Sequence, residues 1–247
     1  TTTIRASEPW RNNIAALYKL LDDEIQRLIN ALDPKHLVIS SDHGNGSAPE
    51  YMNPNAFLQE TGFQPTSVNL KATTRRSLRA IASGRIPAIV KKVDWNHTRA
   101  FSNGNRAAIF ANDRNRFGGP VADNELPELC KEICSIFNKH PDAQARGITA
   151  KPYRERFKGS RYYDFLPDVQ LVSDQALFQV KQGPFFSDNP LYGPIPNLKN
   201  INRGMVSGNK TRYPLFACDP DTAKLIRDSD PRDLTLVHKL TQRIFSK

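Results

Sequence analysis

The sequence is poor in cysteine, with only Cys130, Cys134 and Cys218 among 247 residues. Such an odd and sparse set excludes a disulfide framework as the basis of the fold. Cys130 and Cys134 are four residues apart in a helical pattern with apolar neighbours, so we interpret them as core residues. A zinc site at this pair is the weaker alternative, because no third or fourth ligand lies nearby in the sequence.

Long apolar runs are also missing. No stretch approaches the roughly 20 apolar residues that a helix needs to span a bilayer. The composition, 38% hydrophobic and 24% charged, is instead typical of a globular protein with a substantial core.

Acidic residues are scarce relative to basic ones: 25 against 35, for a net charge of +10. This balance favours anionic partners such as phosphate compounds, nucleic acid or an acidic surface. The basic residues are dispersed, and they are densest at 75–79 and 151–158. We therefore favour a solvated basic surface over a dedicated polyanion site, since no zinc-finger, RNP or helix-turn-helix pattern accompanies them.

Periodicity predicts helices that alternate with short strands. Apolar residues recur every three or four positions through 8–32, which predicts a long amphipathic helix. Further helices are predicted at 53–60, 72–82, 123–139 and 233–245, and strands at 36–40, 98–102, 107–111, 148–153, 168–173 and 215–218. This alternation predicts an α/β fold with a mainly parallel sheet flanked by helices on both faces. We expect one domain over 1–247, with an irregular loop at 181–213.

One strand ends in a pair of side chains that can bind metal. The apolar run 37–40 predicts a short buried strand that leads into Asp42, His43 and Gly44. In open α/β sheets such strand ends carry the functional side chains, and an oxygen donor beside an imidazole is a common beginning of a Zn²⁺ site. The alternative is structural: Asp42 caps the turn and His43 packs on the sheet edge.

Several stretches in order resemble the type I phosphodiesterase/nucleotide pyrophosphatase branch of the alkaline phosphatase superfamily, in its C-terminal half. The resemblance covers most of 10–240 and depends on the order and spacing of five segments: 18–25, 38–44, 53–63, 93–101 and 158–169. The resemblance implies two divalent ions, usually Zn²⁺, about 4 Å apart at the strand ends, which bridge a phosphoryl oxygen.

The resemblance implies that Asp42 and His43 are metal ligands. Asn45 follows this turn and is a candidate to donate a hydrogen bond to a phosphoryl oxygen of the substrate, whereas the structural alternative, an ordinary turn asparagine, is the one that residue type favours. In the family a Thr or Ser nucleophile and further ligands lie upstream of these segments. We therefore expect that the nucleophile is not in this chain, that the missing N-terminal half is a separate chain or segment, and that the chain alone is inactive. The expected substrate is a small phosphate ester. We interpret Asp168, in Leu-Pro-Asp-Val, as structural.

The sequence departs from the family at a late histidine ligand. The matching stretch is 207–216, where Asn209 or Lys210 stands in place of that histidine. A lysine cation repels a divalent ion, so this change is expected to weaken or empty one metal site. Lys210 would instead meet a substrate phosphate as a fixed charge.

Three functions stay open on the sequence alone. The first is a metal-dependent hydrolase of phosphoric diesters or phosphoanhydrides. The second is a degenerate pseudoenzyme that binds a partner or polyanion with its basic face. The third is a structural subunit of a larger assembly. We favour the first.

Overall fold

The computed structural model describes residues 8–82, 91–103, 108–174, 178–180, 183–189, 208–211, 214–229, 233 and 235–245. Eight α-helices lie in these ranges: α1 (Glu8–Leu32), α2 (Pro54–Glu60), α3 (Leu70–Ala82), α4 (Arg114–Phe117), α5 (Leu126–Lys139), α6 (Pro141–Ala145), α7 (Pro220–Leu225) and α8 (Leu236–Phe245). They confirm the five predicted helices. None of the described helices has the length and apolar character needed to cross a bilayer.

The described strands are short, none longer than four residues. They are β1 (Val38–Ser40), β2 (Gly44–Ser47), β3 (Glu50–Met52), β4 (Thr66–Val68), β5 (Lys91–Val93), β6 (Ala100–Phe101), β7 (Ala108–Ala111), β8 (Thr149–Pro152), β9 (Val169–Val172), β10 (Phe178–Gln179), β11 (Phe186–Asp188), β12 (Gly208–Thr211) and β13 (Phe216–Cys218). The strands β11 and β12 lie within 181–213, so the prediction of an irregular loop is wrong for those residues. The rest of that prediction falls largely outside the described residues.

The prediction of a mainly parallel sheet is wrong. The described strands form five small sheets, and the pairings are antiparallel except for the two-residue match of β10 with β3. The largest sheet has four strands in the order β6-β7-β9-β8, all antiparallel. The alternation of helices and strands suggested strand–helix–strand units with parallel strands. Short strands also pair antiparallel, with a neighbour in a hairpin or with a strand far along the chain, and apolar periodicity does not distinguish these pairings.

The chain divides into two compact units, one of 1–49 and 190–247 and the other of 50–189. The second unit holds the main apolar cluster, in which one face of α5 packs with the four-stranded sheet and α2. Leu129, Ile133 and Phe137 are each at most 1% exposed. Their spacing of four residues places them on the same helix face. The single-domain assignment stays a prediction.

A buried charge cluster joins the sheet of this second unit to its helical segments. Asp168, just before β9, is 4% exposed, and its Oδ2 accepts from the Ala111 backbone N–H at 2.8 Å and from Arg116 Nη2 at 2.5 Å. Its Oδ1 lies 2.9 Å from Arg154 Nε. Arg116 also binds Asp113, the N-cap of α4. Burial opposes the charge of Arg116, yet its bonds to Asp168 and Asp113 leave its pKa raised. The structural interpretation of Asp168 therefore agrees with its surroundings.

Replacement of Asp168 by alanine would leave two buried guanidinium groups without their shared carboxylate. We expect Asp168→Ala to lower the free energy of unfolding by about 3–5 kcal/mol, the usual cost of breaking a buried ion pair. Chemical denaturation of the variant and the natural chain measures this loss. Glu128→Ala on α5 is the control, because Glu128 is exposed and its pair with Lys131 is 3.7 Å long. Equal unfolding free energies for both variants would contradict the role of Asp168.

The first unit contains two strand pairs, β1 with β13 and β2 with β12. Asp219 connects β1 to α7: its side chain accepts from the backbone N–H of Leu37 at 2.7 Å and caps α7 through Asp221 and Thr222. The side-chain hydrogen bond of Thr222 is the largest cause that lowers the pKa of Asp219, and the backbone bond of Leu37 follows.

The lowered pKa of Asp219 makes stability depend on pH at the acid end. Because the folded pKa lies below the ordinary value of 3.8, the contribution is complete above that value and is lost as pH falls through the folded pKa. We expect Asp219→Asn to lose less stability than the natural chain between pH 6 and pH 3, as measured by denaturant titration at each pH. Asp228→Asn, in the same unit, is the control. An equal acid loss in natural chain and Asp219→Asn would refute the assignment.

Candidate metal and phosphate site

Asp42 and His43 lie in the short turn that connects β1 to β2. The expectation that they follow a buried strand is wrong, because β1 is only partly buried and its pairing with β13 is antiparallel. The Asp42 side chain is 83% exposed and that of His43 27%. An exposed carboxylate beside a half-buried ring leaves room for a ligand.

The two nitrogens of His43 have different partners. Nδ1 lies 2.9 Å from the carbonyl oxygen of Gly44, and this oxygen can only accept, so Nδ1 carries the proton. Nε2 lies 3.3 Å from Oδ2 of Asp42. With the proton on Nδ1, Nε2 is an electron-rich atom next to a carboxylate oxygen, and two such atoms repel each other. A cation bound by both atoms would relieve this repulsion.

This geometry is compatible with a shared cation. A histidine that binds metal through one ring nitrogen usually donates the N–H of the other ring nitrogen to an acceptor such as a backbone carbonyl. His43 Nδ1 has such an acceptor in Gly44. Zinc ligands at about 2.0–2.1 Å in tetrahedral geometry lie about 3.3–3.4 Å from each other, close to the observed separation. Two donors are half of a tetrahedral set, however, and no group of three His, Cys, Asp or Glu side chains suited to a metal occurs within the described residues.

Asn45 and Lys210 are brought together by the pairing of β2 with β12. In this antiparallel register Lys210 is opposite Asn45, and Asn209 is opposite Gly46. Residues directly opposite each other project to the same face of the ladder, so the amide and the ammonium share one face, next to the turn that holds His43. Of the two residues that the sequence left open at this place, Lys210 is therefore the one that shares a face with Asn45.

Ser41 holds this turn in place, which the sequence did not reveal. Its backbone N–H donates to the carbonyl of Leu215 at 3.0 Å, and its hydroxyl accepts from the Leu215 N–H at 2.8 Å. The same hydroxyl donates to the carbonyl of His43 at 3.1 Å. Only long-range pairing with β13 creates this arrangement, so no local pattern predicts it.

Three other histidines lie outside this turn and have hydrogen-bond partners of their own. His97 Nδ1 is 3.0 Å from Asp94 Oδ2, and His36 Nδ1 is 2.9 Å from Thr222 Oγ1. His140 accepts from the Asp142 N–H at the start of α6. These contacts are those of structural or surface side chains.

The cysteine pair on α5 has the surroundings of core residues. Burial raises the pKa of the Cys130 thiol to about 12 and that of Cys134 to about 11, so both are protonated at neutral pH. Cys134 belongs to the apolar cluster and Cys130 packs against it. A protonated thiol is a poor metal ligand and a poor nucleophile, which favours the core interpretation.

Basic residues 151–158 are not uniformly solvated as the sequence suggested. Lys151, Arg156 and Lys158 are exposed, but Arg154 is 6% exposed and is paired with Asp168. The sequence missed this cluster of two arginines and two aspartates. The spacing of Asp113 and Arg116, three residues apart, was the one local signal of it.

The turn and the strand pair together can bind a cation and a phosphoryl group, through a carboxylate, an imidazole, an amide and an ammonium. The model of one protein family, type I phosphodiesterase/nucleotide pyrophosphatase, matches residues 6–182 of the chain. The chain belongs to this family, which is part of the alkaline phosphatase superfamily. The match includes Asp42, His43 and Asn45, whereas Lys210 lies beyond it. No curated protein and no solved structure matches the chain.

Loss of the Ser41 hydroxyl should loosen the turn that carries Asp42 and His43. We expect Ser41→Ala to lower the free energy of unfolding by about 1–2 kcal/mol, because it removes one accepted and one donated hydrogen bond. Chemical denaturation measures this change. Ser40→Ala, at the adjacent last residue of β1, is the matched control. Hydrogen exchange at the Leu215 amide should accelerate in Ser41→Ala only, and an unchanged rate would contradict this account.

Proposed function

We propose that this chain carries part of a metal-dependent hydrolase of phosphoric diesters or phosphoanhydrides, with Asp42 and His43 as ligands of one divalent ion, usually Zn²⁺ in this family. The observation that carries the proposal is the position of His43 Nε2, 3.3 Å from the Asp42 carboxylate while Nδ1 contacts a carbonyl. Membership of the family supplies the reaction class.

Each residue of the turn has a role in this proposal. A bound divalent ion would lower the pKa of the attacking hydroxyl and neutralise charge on the phosphoryl oxygens. Asp42 and His43 hold that ion in place. Asn45 donates its amide N–H to a non-bridging oxygen, and Lys210, opposite it, supplies a positive charge to the same group.

The proposal assigns the nucleophile and the remaining metal ligands to residues outside the described ones, in keeping with the order of motifs in the family. The nucleophile attacks phosphorus, the bond to the leaving oxygen breaks, and water later releases the phosphoryl group from the nucleophile. Ser41, the nearest hydroxyl in the sequence, bonds to Leu215 and His43 instead.

A degenerate pseudoenzyme is the second candidate. Two features favour it: the described residues provide only two donors at the turn, and a lysine stands opposite Asn45. A fixed ammonium can replace a metal ion in phosphate binding but does not activate a nucleophile. In this candidate the fold binds an anionic partner without turnover.

Metal content distinguishes the candidates. We expect the longest natural form of the protein to contain up to two zinc-like ions per chain by elemental analysis, and Asp42→Ala to lose at least one. Asp94→Ala is a matched control, because Asp94 forms the other aspartate–histidine contact, 3.0 Å from His97, away from the turn. An equal loss in both variants, or no metal in any form, would refute metal binding by Asp42.

An activity assay completes this test. The longest natural form of the protein, loaded with metal, should hydrolyse bis(4-nitrophenyl) phosphate, and Asp42→Ala in that form should reduce kcat/KM by at least about a hundredfold, since a ligand loss removes several kcal/mol of charge stabilisation. Metal without turnover of this ester, thymidine 5′-(4-nitrophenyl) phosphate or ATP would favour the pseudoenzyme.

A further inference from the structure

A cavity of about 610 Å³ lies in the first unit, and none of its described lining residues belongs to the Asp42 turn. Its described lining residues come from the segment after α1, from the end of α7 and from the last turn of α8: Lys35, His36, Leu225, Arg243, Ile244 and Phe245. Its volume is within the range of about 300–1,000 Å³ that is usual for small-molecule sites.

The polar part of the lining is basic. Lys35, Arg243 and His36 contribute nitrogen donors, and none of the described lining residues carries a carboxylate. Arg243 Nη1 donates to the carbonyl of Leu225, which directs the guanidinium to the cavity. Within the described part of the chain Lys35 has neither an ion pair nor a hydrogen bond, although most other cations of this unit do have one. Two positive charges, with no carboxylate among the described lining residues, attract an anionic group.

The remaining lining is apolar. Leu225, Ile244 and Phe245 form one wall, and Phe245 is 80% exposed at the end of α8. Exposure of a large aromatic side chain leaves its apolar surface in water, which is unfavourable. A ligand with a hydrophobic part would cover this wall while its charged group meets Lys35 and Arg243.

The ring of His36 is held at the border of the two parts. Its Nδ1 lies 2.9 Å from Oγ1 of Thr222, and Thr222 is fully buried on α7. The ring is therefore fixed relative to α7, and the cavity wall on this side is preformed. A preformed wall lowers the entropic cost of binding.

We propose that this cavity binds a small amphipathic anion, a phosphate, phosphonate or carboxylate that carries a short alkyl or aryl group. The charged group contacts Lys35 and Arg243, and the hydrophobic group covers Ile244 and Phe245. This site is separate from the Asp42 turn, and the inference does not depend on the proposed hydrolase function.

Octylphosphonate is the probe for this site, because no phosphatase can hydrolyse its carbon–phosphorus bond. Calorimetric titration with excess chelator, which removes metal binding at Asp42, should show saturable binding of octylphosphonate. Inorganic phosphate lacks the alkyl chain, and octyltrimethylammonium lacks the negative charge. Each should bind at least about tenfold more weakly than octylphosphonate. Equal binding of the cationic amphiphile would overturn the proposal, because it would indicate hydrophobic attraction alone.

Variants localise the site. Arg243→Gln and Lys35→Gln should each raise Kd for octylphosphonate by about tenfold, as expected for one charged hydrogen bond, and Arg243→Lys should retain most of the affinity. Lys224→Gln is the control for charge, because Lys224 is paired with Asp221 and does not line the cavity. Phe245→Ser should weaken binding, whereas Val237→Ser, an exposed apolar position on the same helix, should not.

Circular dichroism identifies any variant that fails to fold, and Arg243→Lys and Phe245→Ser then decide the result. Absence of saturable octylphosphonate binding to the natural chain, or equal Kd values in lining and control variants, would overturn the proposal. Binding to anionic phospholipid vesicles without binding of monomeric octylphosphonate would likewise overturn it, in favour of a membrane surface.

Discussion

The shared carboxylate of Asp168 is the constraint on which the second unit depends. One side chain accepts from the backbone of β7, pairs with Arg116 of α4 and pairs with Arg154 of the segment after β8. Because all of these groups are buried, none can exchange its partner for water without a large cost. The relative positions of β7, β9 and α4 are thereby fixed, and the apolar cluster of α5 packs on the sheet that results.

Sequence reasoning succeeded where local periodicity determines structure. The bounds of α1 agree with the prediction over 8–32, and α5 follows the apolar spacing of Leu129, Ile133 and Phe137. The sheets were mispredicted because their pairing depends on distant residues. The partner of β1 is β13, and Ser40 pairs with Phe216. Neither the direction nor the partner of a three-residue strand is encoded in its own residues.

The candidate site shows the same division. Asp42 and His43 are adjacent in one motif, so the resemblance to a family could propose them as metal ligands, and this role stays a prediction. Lys210 was proposed from a loosely aligned loop, and the structure gives it a definite cross-strand partner in Asn45. The sequence assigned no role to Ser41. Its contacts with Leu215 form only when β1 meets β13, so sequence alone gave no indication of its structural role.

The composition of β2 has a consequence for how its site is aligned. Its residues are Gly-Asn-Gly-Ser, without a large apolar side chain that packing could hold in one register. A slip of one residue against β12 would turn Lys210 to the opposite face. The register of β2 against β12 is therefore set by the neighbouring contacts between Ser41 and Leu215, not by the residues of β2. An anion that bridges Asn45 and Lys210 would stabilise the observed register of β2 against β12. Part of its binding free energy would be used to fix that register.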